Sequence, residues 1–205
     1  MSGAFMSGAF TSGAAMSITQ AGFADPVGES QACFRAVLDA FARPGSIHEA
    51  GASLDPPVPL DQATAAALLT LVDGDTPLWL DEAAEVAWGW LAFHCGAVRA
   101  ARADAAFGLV IGEVALEGFG AGSDDAPEDG ATVVVQVAAL GAGRRLRLSG
   151  PGLEHPVVFA VDGLGEGFMA AWAANHGRYP RGVDVVLCAG DRLAALPRSV
   201  VVEEA

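Results

Sequence analysis

Apolar residues return along this chain at two spacings, and the spacing decides which element each stretch can form. Asp25-Pro26 places an N-cap acid before a proline at the first helical position. Behind it Phe34, Val37, Leu38 and Phe41 recur at intervals of three and four, which predicts a helix with one apolar stripe. Pro44-Gly45 stops it, and the Pro-rich stretch Asp55 to Pro59 is a connector. A second helix is predicted from about Asp61 to Val72, closed by Asp73-Gly74-Asp75, with a short strand at Pro77 to Leu80. Asp81 can cap a third helix running through Phe93, on which Val86, Trp90 and Phe93 share a face.

Beyond that point strand-like runs take over. Phe107 to Ile111 reads as a strand and Gly118 to Gly130 as a loop. Thr132 to Leu140 holds Val133, Val134, Val135 and Val137, and so continuous an apolar run predicts burial on both faces. Gly141-Ala142-Gly143 is expected to turn it into Arg144 to Ser149 as a hairpin. Strands follow at Pro156 to Val161, Val183 to Cys188, Leu193 to Leu196 and Val200 to Glu203, with a helix at Gly165 to Asn175 and a turn at Gly190-Asp191. Interleaved strands and helices with hairpins predict a mixed-sheet α/β domain with helices on both faces.

The 205 residues suit one domain. Ahead of it MSGAF occurs twice, at Met1 to Phe5 and Met6 to Phe10, so residues 1 to about 16 read as a low-complexity tail, with Met16 as an alternative start. The tail has neither the basic region nor the apolar stretch of a secretory signal.

Composition then removes chemistries. The 25 acidic residues against 11 basic ones give a net charge of −14, which argues against a nucleic-acid binder. All of the basic residues are arginine; with no lysine, neither a lysine Schiff base nor a P-loop lysine is possible. A GC-rich genome would favour the same Arg-, Ala-, Gly- and Val-rich usage, so the absence excludes mechanisms without showing selection against lysine. Cys33, Cys95 and Cys188 are far apart and form no C-x-x-C pair, as expected of reduced, buried thiols in a cytoplasmic protein. No run approaches the length of a membrane span.

Each candidate motif has a structural counterpart. Gly163-Leu164-Gly165-Glu166-Gly167 spells G-x-G-x-G, with its third glycine one residue early for a dinucleotide loop, so a strand-to-helix turn is the better reading. His48, His94, His155 and His176 do not pair at metal-ligand spacing, and no metal site is expected. Ser149-Gly150-Pro151-Gly152 is not a nucleophile elbow. Asp73-Gly74-Asp75-Thr76 could hold a cation or simply hydrogen-bond its own turn. Arg145 and Arg147 alternate with Leu146 and Leu148, leave the sheet on one face, and suit a carboxylate partner, phosphate oxygens or solvent.

As an ordered set these turns resemble one bacterial family. The set comprises Pro26-Val27 to Gln31, Phe34-Arg35, Leu38 to Pro44-Gly45, Leu68-Leu69-Thr70-Leu71, Asp73, Asp75-Thr76-Pro77, Trp79-Leu80 and Phe93-His94. It continues through Pro127 to Thr132, Gln136-Val137, the LRLSGPG run of Leu146 to Gly152, Tyr179 to Asp184, Gly190, Leu193 and Pro197-Arg198. From about Gly22 to Ala205 the chain is similar to PhnH, the H subunit of the bacterial carbon-phosphorus lyase core complex; residues 1–21 fall outside.

The resemblance implies a three-layer α/β/α sandwich with a mixed sheet, like the fold of pyridoxal-phosphate-dependent transferases but without the cofactor site. It also implies a cytoplasmic homodimer that joins G, I and J subunits. That complex transfers a triphosphoribosyl group from a purine nucleoside triphosphate to methylphosphonate, with later radical chemistry on the iron-sulfur J subunit. Three separate cysteines cannot hold a four-thiolate cluster, in keeping with such chemistry lying on a partner. The expectation is therefore an accessory, non-catalytic subunit with no cofactor, no nucleic-acid partner and no membrane partner. The alternative is a nucleotide- or phosphonate-binding enzyme in its own right. Candidate ligand- or partner-binding residues are Arg35, Arg43, Asp75, Thr76, Arg145, Arg147 and Arg198. A weaker third reading is an oxidoreductase using the Gly163 loop.

Overall fold

Asp25 and Pro26 start a helix where the capping signals predict one. In the computed structural model, which describes residues 20–111 and 113–205, α1 spans Pro26–Ala42. The Asp25 carboxylate accepts from Gly28 N at 3.1 Å, while Asp25 N donates to the Glu29 carboxylate at 3.1 Å. Two of the donors left over at the helix start are thereby satisfied. The other α-helices among the described residues are α2 (Gln62–Leu71), α3 (Trp88–Cys95) and α4 (Phe168–His176). The strands are β1 (His48–Glu49), β2 (Pro77–Leu80), β3 (Val98–Arg99), β4 (Phe107–Val110) and β5 (Thr132–Gln136). After them come β6 (Ala139–Ser149), β7 (Val157–Asp162), β8 (Asp184–Ala189), β9 (Arg192–Leu196) and β10 (Val201–Glu204).

Seven strands form one mixed sheet in the order β1-β9-β8-β5-β4-β2-β3. The pairs from β8 to β3 are parallel, while β8–β9 and β9–β1 are antiparallel. Val134, Val186 and Cys188 face one core with α1, α2 and α3. Val133, Val135, Val185 and Leu187 face a second core on the opposite side. The mixed α/β sheet is thus as expected, and β5 is buried on both faces as its valines require.

The second face corrects the expectation of helical cover. A three-stranded antiparallel sheet, β10-β6-β7, lies there together with α4. Leu146, Leu148, Phe159 and Val161 of the small sheet pack with Phe168 and Trp172 of α4. The Trp172 indole donates to Val200 O at 3.0 Å, so its one polar group is satisfied in the core.

The hairpin expected between β5 and β6 does not form. Both edges of β5 are taken by the parallel strands β4 and β8, so no edge remains for β6. The chain crosses at Val137-Ala138 and β6 pairs with β7 and β10 instead. Gly141 and Gly143, at φ of 86° and 90°, make a bulge within β6 where Leu140 and Arg144 both oppose Val161. A Cβ on Gly143 would lie 2.6 Å from the Asp162 Cβ, which reserves the position for glycine.

Helix phases also differ. The buried face of α1 is Cys33, Ala36, Val37 and Ala40, while Phe34 and Leu38 stand 52% and 58% exposed. Small residues face the layer because α1 approaches α2 closely, and the large ones point away. The third helix opens with a 3₁₀ turn at Glu85–Ala87, which shifts its phase. Trp90 is buried, whereas Val86 and Phe93 are exposed. The last helix begins at Phe168 instead of Gly165, because Gly163 and Gly165 take φ of 98° and 78° in the connecting turn.

The predicted tail before Met16 lies outside the described residues. Gln20 is fixed: its carbonyl accepts from Trp90 Nε1 and lies 2.9 Å from His94 Nε2.

Candidate functional site

Open α/β sheets present ligands at the carboxyl ends of their parallel strands, where strand order reverses. Here those ends are tied off by the chain's own side chains. At the end of β2, Asp81 accepts from Ala84 N at 2.9 Å and from Ile111 N at 2.8 Å, joining β2 to β4. At the end of β5, Gln136 accepts from Asp61 N at 2.8 Å and donates to Pro59 O at 2.7 Å. Asp61 in turn accepts from Gly190 N at 2.9 Å, at the end of β8. These polar groups are fixed by internal bonds before any ligand arrives.

The glycine turn 163–167 follows β7, a strand of the small antiparallel sheet. A dinucleotide loop needs a parallel strand delivering the phosphate to a helix N-terminus. Gly163 instead lets the backbone pass Ala138 N, 2.8 Å from where a Cβ would stand.

The residues expected from sequence to bind a ligand or partner are dispersed. Asp73 Oδ1 accepts from Asp75 N and from the Thr76 hydroxyl, both at 2.9 Å, and Thr76 Oγ1 accepts from Asp73 N at 2.6 Å. The turn closes on itself, occupying Thr76, while the Asp75 carboxylate stays on the exposed side of the turn. The Asp75 amide, with Thr76 second, holds the Asp73 carboxyl below its ordinary range. Arg147 meets Glu203 across the small sheet at 3.0 Å, so the carboxylate it suits lies in the same chain. Arg145 shares that exposed face and has no ion pair among the described residues. Arg35 lines a groove with Phe34 and Thr70 and has no ion pair among the described residues either.

Arg198 is internal. Its Nη2 and Nε reach Asp184 Oδ2 at 2.6 and 3.1 Å, its backbone N donates to Asp184 Oδ1 at 2.7 Å, and Nη1 reaches Pro127 O at 2.5 Å. With side chains 12% and 22% exposed, this pair clamps the 127–130 turn to β8.

The thiols are equally internal. Burial pushes Cys33 and Cys188 above the ordinary thiol range, opposite to what a nucleophile needs. The described residues contain no group of three His, Cys, Asp or Glu able to hold a metal ion.

One cavity among the described residues joins two motifs far apart in the sequence. Arg43, Pro44, Gly45 and Ser46 leave α1, and Gly152 to His155 with Val157 connect β6 to β7; between them lies a space of about 480 Å³. Gly152, at φ 84°, sits where a Cβ would strike Ala42 O at 2.7 Å and Pro44 Cδ at 3.0 Å. Gly45, at φ 85°, lies against Leu148 and Val157. Close approach to backbone reserves Gly152, and the positive φ favours glycine at 45. Of the sequence candidates only Arg43 is here, paired to Asp39 at 2.6 Å. Ser46, Leu153 and His155 had no sequence signal, because only the fold brings the two turns together. Ser46 Oγ donates to Arg43 O at 2.6 Å, so His48 Nε2, at 2.7 Å, must donate to it. In that arrangement His48 cannot take the serine proton, and the pair is not a poised nucleophile.

The exposed side of α1 is the other unusual surface. Val27, Phe34 and Leu38 stand 66%, 52% and 58% exposed, and with Gln31 they occur at intervals of four, three and four. That is the spacing of a seam that packs against another helix. An exposed apolar stripe of this kind marks an interaction surface.

Comparison with known proteins places the chain in a described family. The profile of a family described as bacterial phosphonate metabolism protein (PhnH) matches residues 21–203. The chain is 40% identical over 192 residues to the alpha-D-ribose 1-methylphosphonate 5-triphosphate synthase subunit PhnH of Rhizobium meliloti (strain 1021), covering 91% of this chain and 96% of that one. It is 35% identical over 176 residues to HtxG of Stutzerimonas stutzeri, whose description refers to a C-P lyase subunit, covering 82% and 83%.

Proposed function

The chain belongs to the PhnH family of bacterial phosphonate metabolism proteins, and from that premise we propose that it is an accessory subunit of a carbon-phosphorus lyase complex. In this reading it supports transfer of a triphosphoribosyl group from a purine nucleoside triphosphate to methylphosphonate. It acts in the cytoplasm as a homodimer that associates with the other subunits of the G, I and J type. The observation that carries the reading is the relation to a synthase subunit across 96% of that subunit's length.

The geometry supports association over catalysis. Asp61, Asp81, Gln136, Asp184 and Arg198 are all used in internal bonds, while an apolar seam on α1 faces outward. Among the described residues no helix is long and apolar enough to cross a membrane.

The same reading takes residues 22–205 as one domain on a scaffold of the pyridoxal-phosphate transferase kind that lacks the cofactor site. Two facts support this: the chain has no lysine to form the aldimine, and the carboxyl ends of the parallel strands are tied off internally.

Tagged co-expression with the partner subunits tests the proposal. The chain is expected to co-elute with them in fixed stoichiometry. A complete, active complex that forms without it would overturn the proposal.

A further inference from the structure

The cavity between the α1 exit and the β6–β7 connection sets a guanidinium and turn backbone beside an apolar wall. We propose that it binds a small organic oxyanion carrying a short apolar group, with the head toward Arg43 and the tail against Leu153 and Val157.

Three features point to that ligand class. The first is an excess of unused donors. Arg43 uses Nη2 on Asp39, and its Nε and Nη1 have no partner among the described residues. The backbone N–H groups of Gly45, Gly152, Glu154 and His155, all on lining residues, donate to nothing else in the described chain. Amides in turns of this kind, backed by a guanidinium, recognise oxyanions.

The second feature is the apolar lining. Pro44 is buried, and Leu153 and Val157 are half-buried at the cavity. A hydrated inorganic ion leaves such a wall unused, whereas an alkyl group covers it. The third is rigidity. Gly152 is held against the Ala42 backbone by a contact too close for any side chain, and Gly45 by a positive φ that side chains rarely adopt, so the two turns keep their separation when the cavity is empty. Two carboxylates are near. Asp39 is neutralised by Arg43, and Glu154, 92% exposed, lies 4.0 Å from the His155 ring on the rim.

Phosphonate, phosphate-ester and carboxylate heads share this chemistry, and titration separates them. The full chain, labelled with ¹⁵N, would be titrated with n-butylphosphonate, butyl phosphate, butyrate and inorganic phosphate, following the amides of Gly45, Gly152, Glu154 and His155 by NMR. At least one butyl compound is expected to shift these amides at millimolar concentration, about fivefold or more tighter than inorganic phosphate. Whichever butyl compound binds tightest identifies the head.

Arg43→Gln is expected to weaken all the anions about tenfold while thermal stability is unchanged, since Arg43 is largely exposed. Leu153→Gln is expected to bring the butyl compounds down to the level of inorganic phosphate without weakening phosphate itself. No amide shift at about 20 mM of any probe, or shifts that persist in Arg43→Gln, would overturn the proposal. Equal affinity for inorganic phosphate and every butyl compound would also overturn it. Arg43→Gln should leave partner co-elution intact, so this site and the subunit assignment can fail independently.

Discussion

Arg198 and Asp184 show how a side chain that looks available in the sequence can be occupied by the fold. Their pair is largely desolvated and fixes two backbone carbonyls of the 127–130 turn as well as each other. Removing one partner strands the other charge, at a cost of about 3 kcal/mol. Asp184→Asn should therefore lower the unfolding free energy by that order, seen by circular dichroism as a lower urea midpoint at an unchanged denaturant slope. An unchanged midpoint would show that solvent replaces the carboxylate.

Cys188 offers a pH test. Its thiol is raised in the folded chain by burial first, and the unfolded thiol ionises near its ordinary 9.0. Above that pH the unfolded state has shed a proton that the folded state retains, so stability is fully present below it and falls as pH rises, by about 1.4 kcal/mol per pH unit for such a thiol. Urea midpoints between pH 8 and 10.5 should decline in the wild type and decline less steeply in Cys188→Ala. The three cysteines were legible as buried or partly buried thiols because nothing in their spacing paired them. The internal use of Arg198 was not, since its partners lie 14 to 71 positions away.

At the scale of elements, capping and glycine decide more than periodicity does. The start of α1 could be read from Asp25-Pro26, but the buried face could not. Alanines at 36 and 40 let α1 sit close to its neighbours, and the larger Phe34 and Leu38 take the outer side. The glycine pair at 141 and 143 looked like a hairpin loop because positive φ serves a bulge equally well.

Gly108 of β4 is a further case. A Cβ there would lie 2.5 Å from the Phe119 ring, which closes edge-on over Trp79. Gly108→Ala is expected to destabilise by about 1 to 3 kcal/mol through overpacking. Combining it with Phe119→Leu should recover part of the loss relative to the sum of the two single changes. Strict additivity, measured by chemical denaturation, would show that the ring does not set the constraint.

For the whole molecule, a buried interior on both sides of the large sheet leaves α1's outer seam as surface without a partner among the described residues. Phe34→Asp combined with Leu38→Asp should leave the melting temperature within a few degrees, as expected for exposed positions. The same pair should reduce co-elution with the partner subunits by tenfold or more, as loss of an interface centre does. Full co-elution would place the contact elsewhere on the surface. Arg43→Gln, at the helix exit but off the Val27-Gln31-Phe34-Leu38 stripe, serves as the matched control.

The sequence alone determined the local events: where helices start and stop, which run of valines must be buried on both faces, and which chemistries a lysine-free, acidic chain cannot perform. Each follows from residues within a few positions of one another or from composition. The tertiary structure decided what depends on distant contacts. It put β6 in a second sheet because β5 had no free edge. It also turned the large residues of α1 outward and brought two glycine turns, over 100 positions apart, around one cavity. Spacing along the chain carries no record of such meetings, because they are set by which strand edges and helix faces are already occupied when the layers pack.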